Sequence, residues 1–574
     1  MKKLLMLLSL TLFVAAVAFA AGSQDSAGGG EDALEAIGFN ETGYPIVDEE
    51  VVMTVGLWQP PQSTREPEEY PWLIELAELT NVLVDYQFLG SGNDAMQTVN
   101  LQVASGEMLD LYGQWVYDQG QVLQWAADGQ VMYLDELIED HSPNLARLVE
   151  GYPEARNAVI DFETGQVVFT PIVNSPHRFA NGIPVIAAEW LDRLGMDMPG
   201  TADELLDVLR AFRDEDANGN GDPDDEIPAM FTLSNPAGWA NQRQPGYIAA
   251  YFFQIPMGTR AVVEDGATIP WFRHENAQDF VAFLATLYQE DLIPEDSLSI
   301  DNGSYNARAA EGNVGLVNNF TTYHALGSDR AYDQYVWFFP GEETGGFYPR
   351  FQIDGFVQPG WFMSASVEYP EVAMRWLDTI YSKEHGKRIV SGPGEYVDEE
   401  MTLWRQEPSP DGMSNAEYRN NVYVPANAFP NFEYPGDFID ITAGAGWEFH
   451  AYHKEVAQRG LVPDQVGPTR LWPISSEENN RYTPLLQEVN AYLETEIASM
   501  IFEGDVSDER WQNFQEELMR LGLDEMMEID AAVYQRALDA GYNPNVGESA
   551  VLQAARELNI DVLPGFMELG QPEW

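Results

Sequence analysis

The sequence predicts an α/β fold that is divided into two or more lobes and ends in a helical C-terminal region. Strand-like and helix-like segments alternate along most of the chain, which is the pattern of βαβ units. The 574 residues, 45% of them hydrophobic, exceed what a single hydrophobic core usually serves. Apolar residues at helical spacing dominate the C-terminal part of the chain, so we expect helices there.

The first βαβ unit follows residue 50. Residues 51–57 and 82–89 are rich in strand-forming side chains, whereas residues 71–80 carry apolar side chains at helical spacing. This order predicts two parallel strands joined by a right-handed crossover. Ligands of such sheets collect at the carboxyl ends of the strands, so the residues that follow each strand are candidates for a binding site.

Local signals predict further helices. Thr201 and Glu204 form a capping box before an apolar stripe, and Gly195 closes the preceding helix. Thr483 and the proline after it predict a helix over residues 484–502, because proline fits the first helical turn. Apolar residues from Trp511 onward repeat at helical spacing and predict another helix.

The N-terminus has the parts of a secretory signal peptide. Lys2 and Lys3 precede an apolar run over residues 4–20, and small residues follow. We predict a cleaved signal peptide over residues 1–21, a flexible tether over residues 22–38 and an exported mature chain. A retained membrane anchor is the alternative, although the run is short for a spanning helix.

The charge balance excludes several classes of function. With 93 Asp and Glu against 29 Lys and Arg, the formal net charge is -64, which repels phosphate, so we expect no nucleic-acid partner. The absence of cysteine excludes disulfides, zinc–thiolate sites, thiol catalysis and a lipid-modified cysteine anchor. A carboxylate-rich chain with only five lysines suits concentrated salt, where self-repulsion is screened, so we hypothesise a halophilic protein.

An acidic loop after the helix at Thr201 predicts a structural calcium ion. Oxygen-bearing side chains alternate in it and a glycine follows for the sharp turn, as in the first half of a calcium loop. Position twelve is Ile227 and not Glu, so the loop is not an EF-hand and closes by a shorter route. A solvated acidic turn is the alternative, against which the interspersed Asn residues argue. The candidate ligands are Asp216, Asn218, Asn220, Asp222 through its carbonyl, Asp225 and Glu226.

No pattern in the sequence predicts catalysis. None of the seven histidines lies in an HExxH pattern, and no nucleophile elbow, P-loop or dinucleotide fingerprint is present. Pairs of carboxylates at any spacing carry little information in a chain this acidic. We therefore predict no catalytic residue.

Some of the fifteen tryptophans stand beside Gly, Pro, Asn or Gln and not on helical stripes. Such rings stack on the apolar faces of sugars, whereas planar amides bind sugar hydroxyls. Core packing is the alternative for each of them, and we expect it for Trp190, Trp376 and Trp511, which lie on helical stripes. The candidate ligand-binding residues are Trp58, Gln59, Gln114, Trp115, Trp239, Asn319, Trp361 and Trp447.

The chain resembles the extracellular solute-binding proteins of carbohydrate ABC importers, in particular their large oligosaccharide-binding branch. The resemblance extends over about residues 39–540. The passages that carry it are residues 39–47, residues 103–111, the run from Glu189 through the capping box and the acidic loop to Pro228, and residues 369–382 with Gly386 and residues 508–523.

The resemblance implies two hinged α/β lobes, each built from discontinuous chain, as in a type II-like periplasmic binding protein. We expect lobe I to comprise residues 39–165 and about 320–395, and lobe II about residues 166–319 and 396–574. In that branch the acidic loop is a calcium site, although the loop of this chain is one residue longer, which leaves Asp224 as an alternative to Asp225 for the closing carboxylate. The family also implies a permease as partner, and a chain without cysteine is expected to be a free, monomeric periplasmic protein.

The expected function is capture of an oligosaccharide, with neutral sugars preferred, for a membrane permease. A peptide as cargo is an alternative within the same fold. A secreted polysaccharide-active hydrolase and a structural or adhesive calcium protein are alternatives from other classes.

Overall fold

The computed structural model describes much of the chain from residue 30 onward. The described residues are 30–59, 65–90, 92–151, 153–173, 182–239, 242–258, 262–326, 334–341, 344–347, 357–399, 401, 403–410, 413, 418–425, 428–430, 439–440, 445–468, 474–539, 541–548, 552–553 and 556. The predicted signal peptide lies outside them. Within these residues, no helix combines the length and the apolar character that a membrane span requires.

Strands and helices alternate through the first three quarters of the chain. The strands are β1 Val51–Leu57, β2 Val82–Phe88, β3 Leu111–Tyr112, β4 Pro171–Val173, β5 Ile183–Ala187, β6 Ile227–Met230, β7 Val262–Glu264, β8 Ala267–Ile269, β9 Val314–Asn319, β10 Tyr335–Trp337, β11 Val357–Pro359, β12 Phe362–Met363, β13 Gly394–Tyr396, β14 Leu403–Gln406 and β15 Ile439–Asp440.

The α-helices cover the sheets and form the C-terminal region. They are α1 Gly30–Ala36, α2 Pro71–Thr80, α3 Gly92–Ser105, α4 Gln119–Ala127, α5 Asp135–His141, α6 Pro143–Gly151, α7 Pro153–Val159, α8 Ala188–Leu194, α9 Ala202–Asp214, α10 Gly246–Phe252, α11 Ala277–Gln289, α12 Asn302–Ala310, α13 Thr322–Leu326, α14 Pro370–Ile380, α15 Lys383–Ser391, α16 Ala445–Arg459, α17 Ser476–Glu503, α18 Asp508–Arg520 and α19 Leu523–Asp539.

Each lobe is built around one four-stranded sheet. The sheet of lobe I has the strand order β12-β3-β1-β2, and the sheet of lobe II has the order β10-β5-β9-β6. In lobe I, β1 pairs in parallel with β2 and with β3, which confirms the predicted βαβ unit. In lobe II, β6 and β9 are parallel. The carboxyl ends of these parallel strands are therefore where a ligand site is expected.

Two hydrophobic cores divide the described chain into the two lobes. The first core contains buried residues from 46 to 173 and from 357 to 429. The second contains buried residues from 183 to 338 and from 452 to 552. Along these segments the chain thus passes between the two cores three times. β4 lies directly before the first passage and β11 directly after the second, and these two strands pair with each other.

The lobe boundaries differ from the predicted ones in three respects. Lobe I continues to Val173 and not 165, because Val167 and Phe169 pack in the first core. Ala325, Leu326 and residues 335–338, predicted for lobe I, belong to lobe II, since they pack in the second core and β10 pairs with β5. Tyr423, Val424, Ala428 and Phe429, predicted for lobe II, are buried in the first core and so belong to lobe I.

The predicted tether is only partly a tether. Residues 22–29 lie outside the described residues, whereas residues 30–36 form α1. Leu34 in α1 and Ile37, directly after the helix, pack against the first core. This apolar pair is sufficient to anchor the segment, so the lobe begins earlier than predicted.

The helix caps follow the sequence signals with one exception. The capping box of Thr201 and Glu204 starts α9, and Gly195 ends α8 in the left-handed conformation, as predicted. The helix predicted to start at Pro484 instead starts at residue 476, where Ser475 and Glu478 form a capping box. Pro484 lies inside α17, so the prediction of its start was wrong.

The C-terminal region is helical as predicted and packs on lobe II. Residues of α17, α18 and α19 belong to the second core. One of these helices also contacts lobe I, because the side-chain amide of Asn479 in α17 lies against Gly120 of α4. The two lobes therefore touch in this structure away from the β4–β11 pair.

Candidate functional site

The carboxyl edge of the lobe I sheet brings together four of the predicted ligand-binding residues. Trp58 and Gln59 directly follow β1, and Gln114 and Trp115 follow β3. Because Gly56 pairs with Tyr112 in parallel register, the two pairs of residues leave the sheet at the same level. The backbone of Gln59 is held by a 3.0 Å hydrogen bond to the carbonyl of Gly90, after β2.

Trp115 has the two properties expected of an exposed ring platform. Its side chain is 51% exposed, whereas the ring of Trp58 is half-buried against the first core. Its φ is +71°, in the left-handed region that bulky residues rarely adopt. Backbone strain of this kind clusters at functional sites, where the surrounding structure holds a residue in place.

Gln114 is buried and anchors the strained turn. Its Nε2 donates to the carbonyl of Phe429 at 2.6 Å, and its Oε1 accepts from the indole Nε1 of Trp361 at 2.9 Å. Trp361 is 0% exposed and packs against Trp376 and Phe429. In this structure Trp361 thus supports Gln114 from within the core and presents no ring face to solvent.

The carboxyl edge of the lobe II sheet is rich in amides. Asn319 ends β9 with its side chain fully buried, and its Nδ2 donates to Oδ1 of Asn306 in α12 at 3.1 Å. The same Oδ1 accepts from Nε of Arg243 at 3.1 Å. Asn319 therefore lies in a hydrogen-bonded network below the edge and not at the surface.

Trp239 lies in the core of lobe II. Its ring is 0% exposed, stacks on Trp271 with a centroid distance of 5.5 Å, and donates to the carbonyl of Leu233 at 3.2 Å. This environment is that of a structural tryptophan. Trp447 belongs to α16, but its side chain lies outside the described residues. Trp190 and Trp376, expected in the core, are buried there.

The acidic loop folds back on itself through its own side chains. Asp225 accepts from Nδ2 of Asn218 at 2.8 Å and from Nδ2 of Asn220 at 2.7 Å. The backbone N–H of Gly221 donates to the carboxylate of Asp216 at 3.1 Å. Asp225, and not its exposed neighbour Asp224, thus turns into the loop.

The loop fits a hard cation in the chemistry of its donors. Oε2 of Glu226 is buried and has no hydrogen-bond partner among the described residues. Burial raises the pKa of Glu226, and the nearby carboxylates of Asp225 and Asp216 raise it further, although a hydrogen bond from the backbone of Asn218 opposes them. The described residues contain no cluster of three or more Asp, Glu, His or Cys side chains placed to hold a metal, so the Asn oxygens would have to complete the site.

Sequence reasoning missed Arg243. The residue lies four positions after Trp239, at the carboxyl edge of lobe II, and its φ of +70° is again left-handed. A cation among amides and aromatic residues is a signal the sequence does contain, since Arg243 stands between Gln242 and Gln244. In a chain with 93 acidic and 29 basic residues, most arginines are expected to pair with a carboxylate, so the sequence alone does not single out Arg243.

The chain is similar to known proteins over most of its length. No protein-family model matches it. It is 24% identical over 542 residues to the fructooligosaccharide ABC transporter substrate-binding protein FusA of Streptococcus pneumoniae, which covers 91% of this chain and 96% of FusA. It is also 32% identical over 136 residues to lipoprotein LipO of Bacillus subtilis, which covers 23% of this chain and 25% of LipO.

Solved structures share the fold. FusA of S. pneumoniae in complex with kestose matches with a TM-score of 0.72 at 22% identity, covering 85% of this chain and 100% of FusA. An EF-hand mutant of FusA with fructo-nystose gives 0.71 at 20% identity, with 85% and 100% covered. An HMO binding ABC-transporter associated solute-binding protein from Bifidobacterium longum infantis gives 0.69 at 19% identity, with 85% and 99% covered. These matches confirm the predicted two-lobed solute-binding protein fold.

Proposed function

We propose that this chain, a solute-binding protein of ABC transporters by its fold and its sequence similarity, captures an oligosaccharide between its lobes and presents it to a membrane permease. The observation that carries the proposal is Trp115, a half-exposed ring in a strained conformation at the carboxyl edge of the lobe I sheet. Sugar rings present apolar C–H faces that such a ring can stack on. FusA, described as a fructooligosaccharide-binding protein, supports a carbohydrate over a peptide as cargo.

We place the binding residues at the carboxyl strand edges of the two lobes. In lobe I they are Trp58, Gln59 and Trp115, with Gln114 and Trp361 as the buried support of that edge. In lobe II, Asn319 positions its neighbours from below. A ligand favours the closed arrangement of the lobes only if it binds that arrangement more tightly than the open one. The permease would then recognise the closed, liganded protein.

The role proposed here requires no catalysis. A polysaccharide-active hydrolase remains the second candidate because carboxylate pairs abound, but no observation in the described residues favours it. Incubating the protein with a polysaccharide panel and measuring reducing ends separates the two functions. Sustained turnover would contradict the binding role.

We place the mature protein outside the cytoplasmic membrane. The basic, apolar and small-residue segments at the N-terminus support export by a signal peptide. LipO is described as a lipoprotein, whereas this chain contains no cysteine that could carry a lipid. We therefore favour a freely diffusing monomer in a periplasm, and a net charge of -64 suits a salt-rich one.

Thermal unfolding in molar salt against a panel of oligosaccharides and peptides tests the proposal. A ligand that binds only the folded state raises its stability, by about 2.7 kcal/mol at a hundred times its dissociation constant. We expect a saccharide to raise the unfolding temperature and peptides to leave it unchanged. A shift with peptides alone would contradict the cargo, and no shift with either would contradict the function.

We also propose that the acidic loop binds a structural calcium ion. Calcium takes six to eight oxygen ligands, and Asp216, Asn218, Asn220, the carbonyl of Asp222, Asp225 and Glu226 would supply them. The unpartnered Oε2 of Glu226 is the observation that supports this. The similarity to FusA, of which an EF-hand mutant has been solved, agrees with it.

Replacing Glu226 with Gln is expected to act in opposite directions with and without calcium. In chelator the variant should unfold at a higher temperature than the wild type, because a buried, unpaired charge has been removed. In calcium it should gain less stability than the wild type, because a ligand is missing. Differential scanning fluorimetry in both conditions measures this.

The matched control is Asp224→Asn, because Asp224 is the exposed neighbour of Asp225 in the same loop. It should leave the response to calcium unchanged. Equal responses of the wild type and the Glu226 variant to calcium would overturn the proposed site.

A further inference from the structure

Arg243 lies where a ligand of lobe II would bind. Its backbone N–H donates to the carbonyl of Asn318 at 3.0 Å, and its carbonyl accepts from the N–H of Thr232 at 2.6 Å. These two partners belong to the carboxyl ends of β9 and to the chain directly after β6, the parallel pair of the lobe II sheet. The segment that carries Arg243 therefore crosses the strand edge at which ligands of such sheets collect.

Among the described residues, the guanidinium of Arg243 has a neutral hydrogen-bond partner at Nε and none at its two terminal nitrogens. Its Nε donates to Oδ1 of Asn306, and its Cζ lies 5.9 Å from the ring centroid of Tyr305. The described residues supply no hydrogen-bond acceptor to either terminal nitrogen, and neither nitrogen is sealed from solvent. The open edge of the fork is thus available to a ligand.

This arrangement differs from that of a neighbouring arginine. Arg308, in the same helix as Asn306, forms two 2.7 Å hydrogen bonds with the carboxylate of Asp296. In a chain with 93 acidic and 29 basic residues, an arginine without a carboxylate is costly to keep in a partly buried position. Burial also lowers the pKa of Arg243, and the neighbouring Tyr305 opposes this shift.

The position of Arg243 is fixed by its surroundings. Its left-handed φ of +70° is strained for an arginine, as that of Trp115 is for a tryptophan. Oδ1 of Asn306 holds both Nε of Arg243 and Nδ2 of Asn319, so Asn306 and Asn319 act as positioning residues for the fork.

We propose that Arg243 binds an anionic group on the sugar, a carboxylate or a sulfate ester, and that the cargo is therefore an acidic oligosaccharide. The planar guanidinium fork matches both groups by two parallel hydrogen bonds. This inference rests on the proposed capture function and replaces the expectation of a neutral sugar. The two anionic groups share the recognition chemistry and are distinguished by the test.

Isothermal titration calorimetry with matched ligands tests the inference. The probes are an oligouronide, its carboxyl-reduced neutral counterpart and a sulfated counterpart of equal length, each titrated into the mature protein. We expect the wild type to bind one of the two anionic probes at least about tenfold more tightly than the neutral probe. A tenfold change in the dissociation constant is what one hydrogen bond to a charged group typically contributes. The preferred anionic probe identifies the group.

Arg243→Gln is expected to abolish this preference while binding of the neutral probe changes little. Arg308→Gln is the control, since its guanidinium is already paired, and it should keep the preference. Thermal unfolding of each variant shows whether it is folded. Added salt should also weaken binding of an anionic probe more in the wild type than in the Arg243 variant, because it screens the repulsion by the net charge of -64 in both proteins and the Arg243 contact only in the wild type.

Two outcomes overturn the inference and leave the capture function intact. The first is a wild type that binds the neutral probe as tightly as the anionic ones. The second is an Arg243 variant that loses both classes of probe equally. If none of the three probes and no other saccharide binds, the capture function itself fails, so the two failures are distinguishable.

Discussion

Replacing Trp115 with Gly is expected to weaken oligosaccharide binding strongly without destabilising the protein. Loss of an aromatic contact at the centre of a binding site costs about 2 kcal/mol, or roughly 30-fold in the dissociation constant. Glycine also accepts the left-handed φ of +71° at no steric cost, so the variant should unfold at a temperature no lower than that of the wild type. Calorimetry with the saccharide that stabilises the wild type, together with thermal unfolding, measures both effects.

The combination of weaker binding and undiminished stability distinguishes a ligand contact from a structural residue. Trp115→Phe should recover much of the affinity because it restores a ring. Asp265→Gly is the matched control, since Asp265 is exposed and also left-handed, with φ of +49°, in the turn between β7 and β8. It should leave binding unchanged. A Trp115 variant that binds normally would remove the main support for the proposed site.

The elements that the sequence predicts correctly are those in which local chemistry and packing agree. The strand over residues 51–57 and the helix over residues 71–80 appear with these bounds, because periodicity, flanking residues and burial all favour them. The start of α17 was missed because Ser475 and Glu478 cap the helix upstream of Pro484. The start of this helix is therefore set by the capping box and not by the proline.

The lobe boundaries depend on long-range contacts, which sequence patterns do not contain. Tyr423 packs in the first core and β10 pairs with β5 of the second lobe, and both contacts join segments that are far apart in the sequence. Similar reasoning applies to the tryptophans. Trp239 and Trp115 both stand near small or polar residues in the sequence, yet one stacks on Trp271 inside the core and the other lies at the surface.

The positioning of polar residues shows the same limit. The sequence singles out Gln114 and Asn319, and the structure places both below the strand edges, where they hold Trp361 and Asn306. Arg243 could not be singled out from the sequence, because what distinguishes it is that no carboxylate among the described residues pairs with it. Whether an arginine has a carboxylate partner can be determined only from the folded structure.

Acidification is expected to destabilise the protein through His385 before most carboxylates titrate. His385 packs edge-on against Trp72 in lobe I, and its Nδ1 is buried without a hydrogen-bond partner in the described residues. Burial lowers its pKa to about 4 from an ordinary value of 6.5; Glu384 opposes this shift and Arg388 adds to it. Folding thus favours the neutral ring, because the charged form would lose its hydration.

The sign of the effect follows from the lowered pKa. The neutral ring contributes its full stability above pH 6.5, the contribution declines as the pH falls, and it is lost at about pH 4. A difference of roughly 2.5 units corresponds to about 3 kcal/mol in the free energy of unfolding. Denaturant unfolding at constant salt, from pH 8 down to the range where carboxylates titrate, measures the decline.

His385→Gln isolates the contribution of the histidine from that of the 93 acidic residues. The variant loses packing against Trp72 equally at every pH, so the comparison is between slopes and not between absolute stabilities. We expect the variant to lose less stability than the wild type between pH 7 and pH 5. Parallel curves would mean that the ring is charged without cost in the folded protein, and burial would then not control its titration. Because His385 belongs to α15 and not to a strand edge, saccharide affinity measured on the folded protein should be the same for the variant and the wild type.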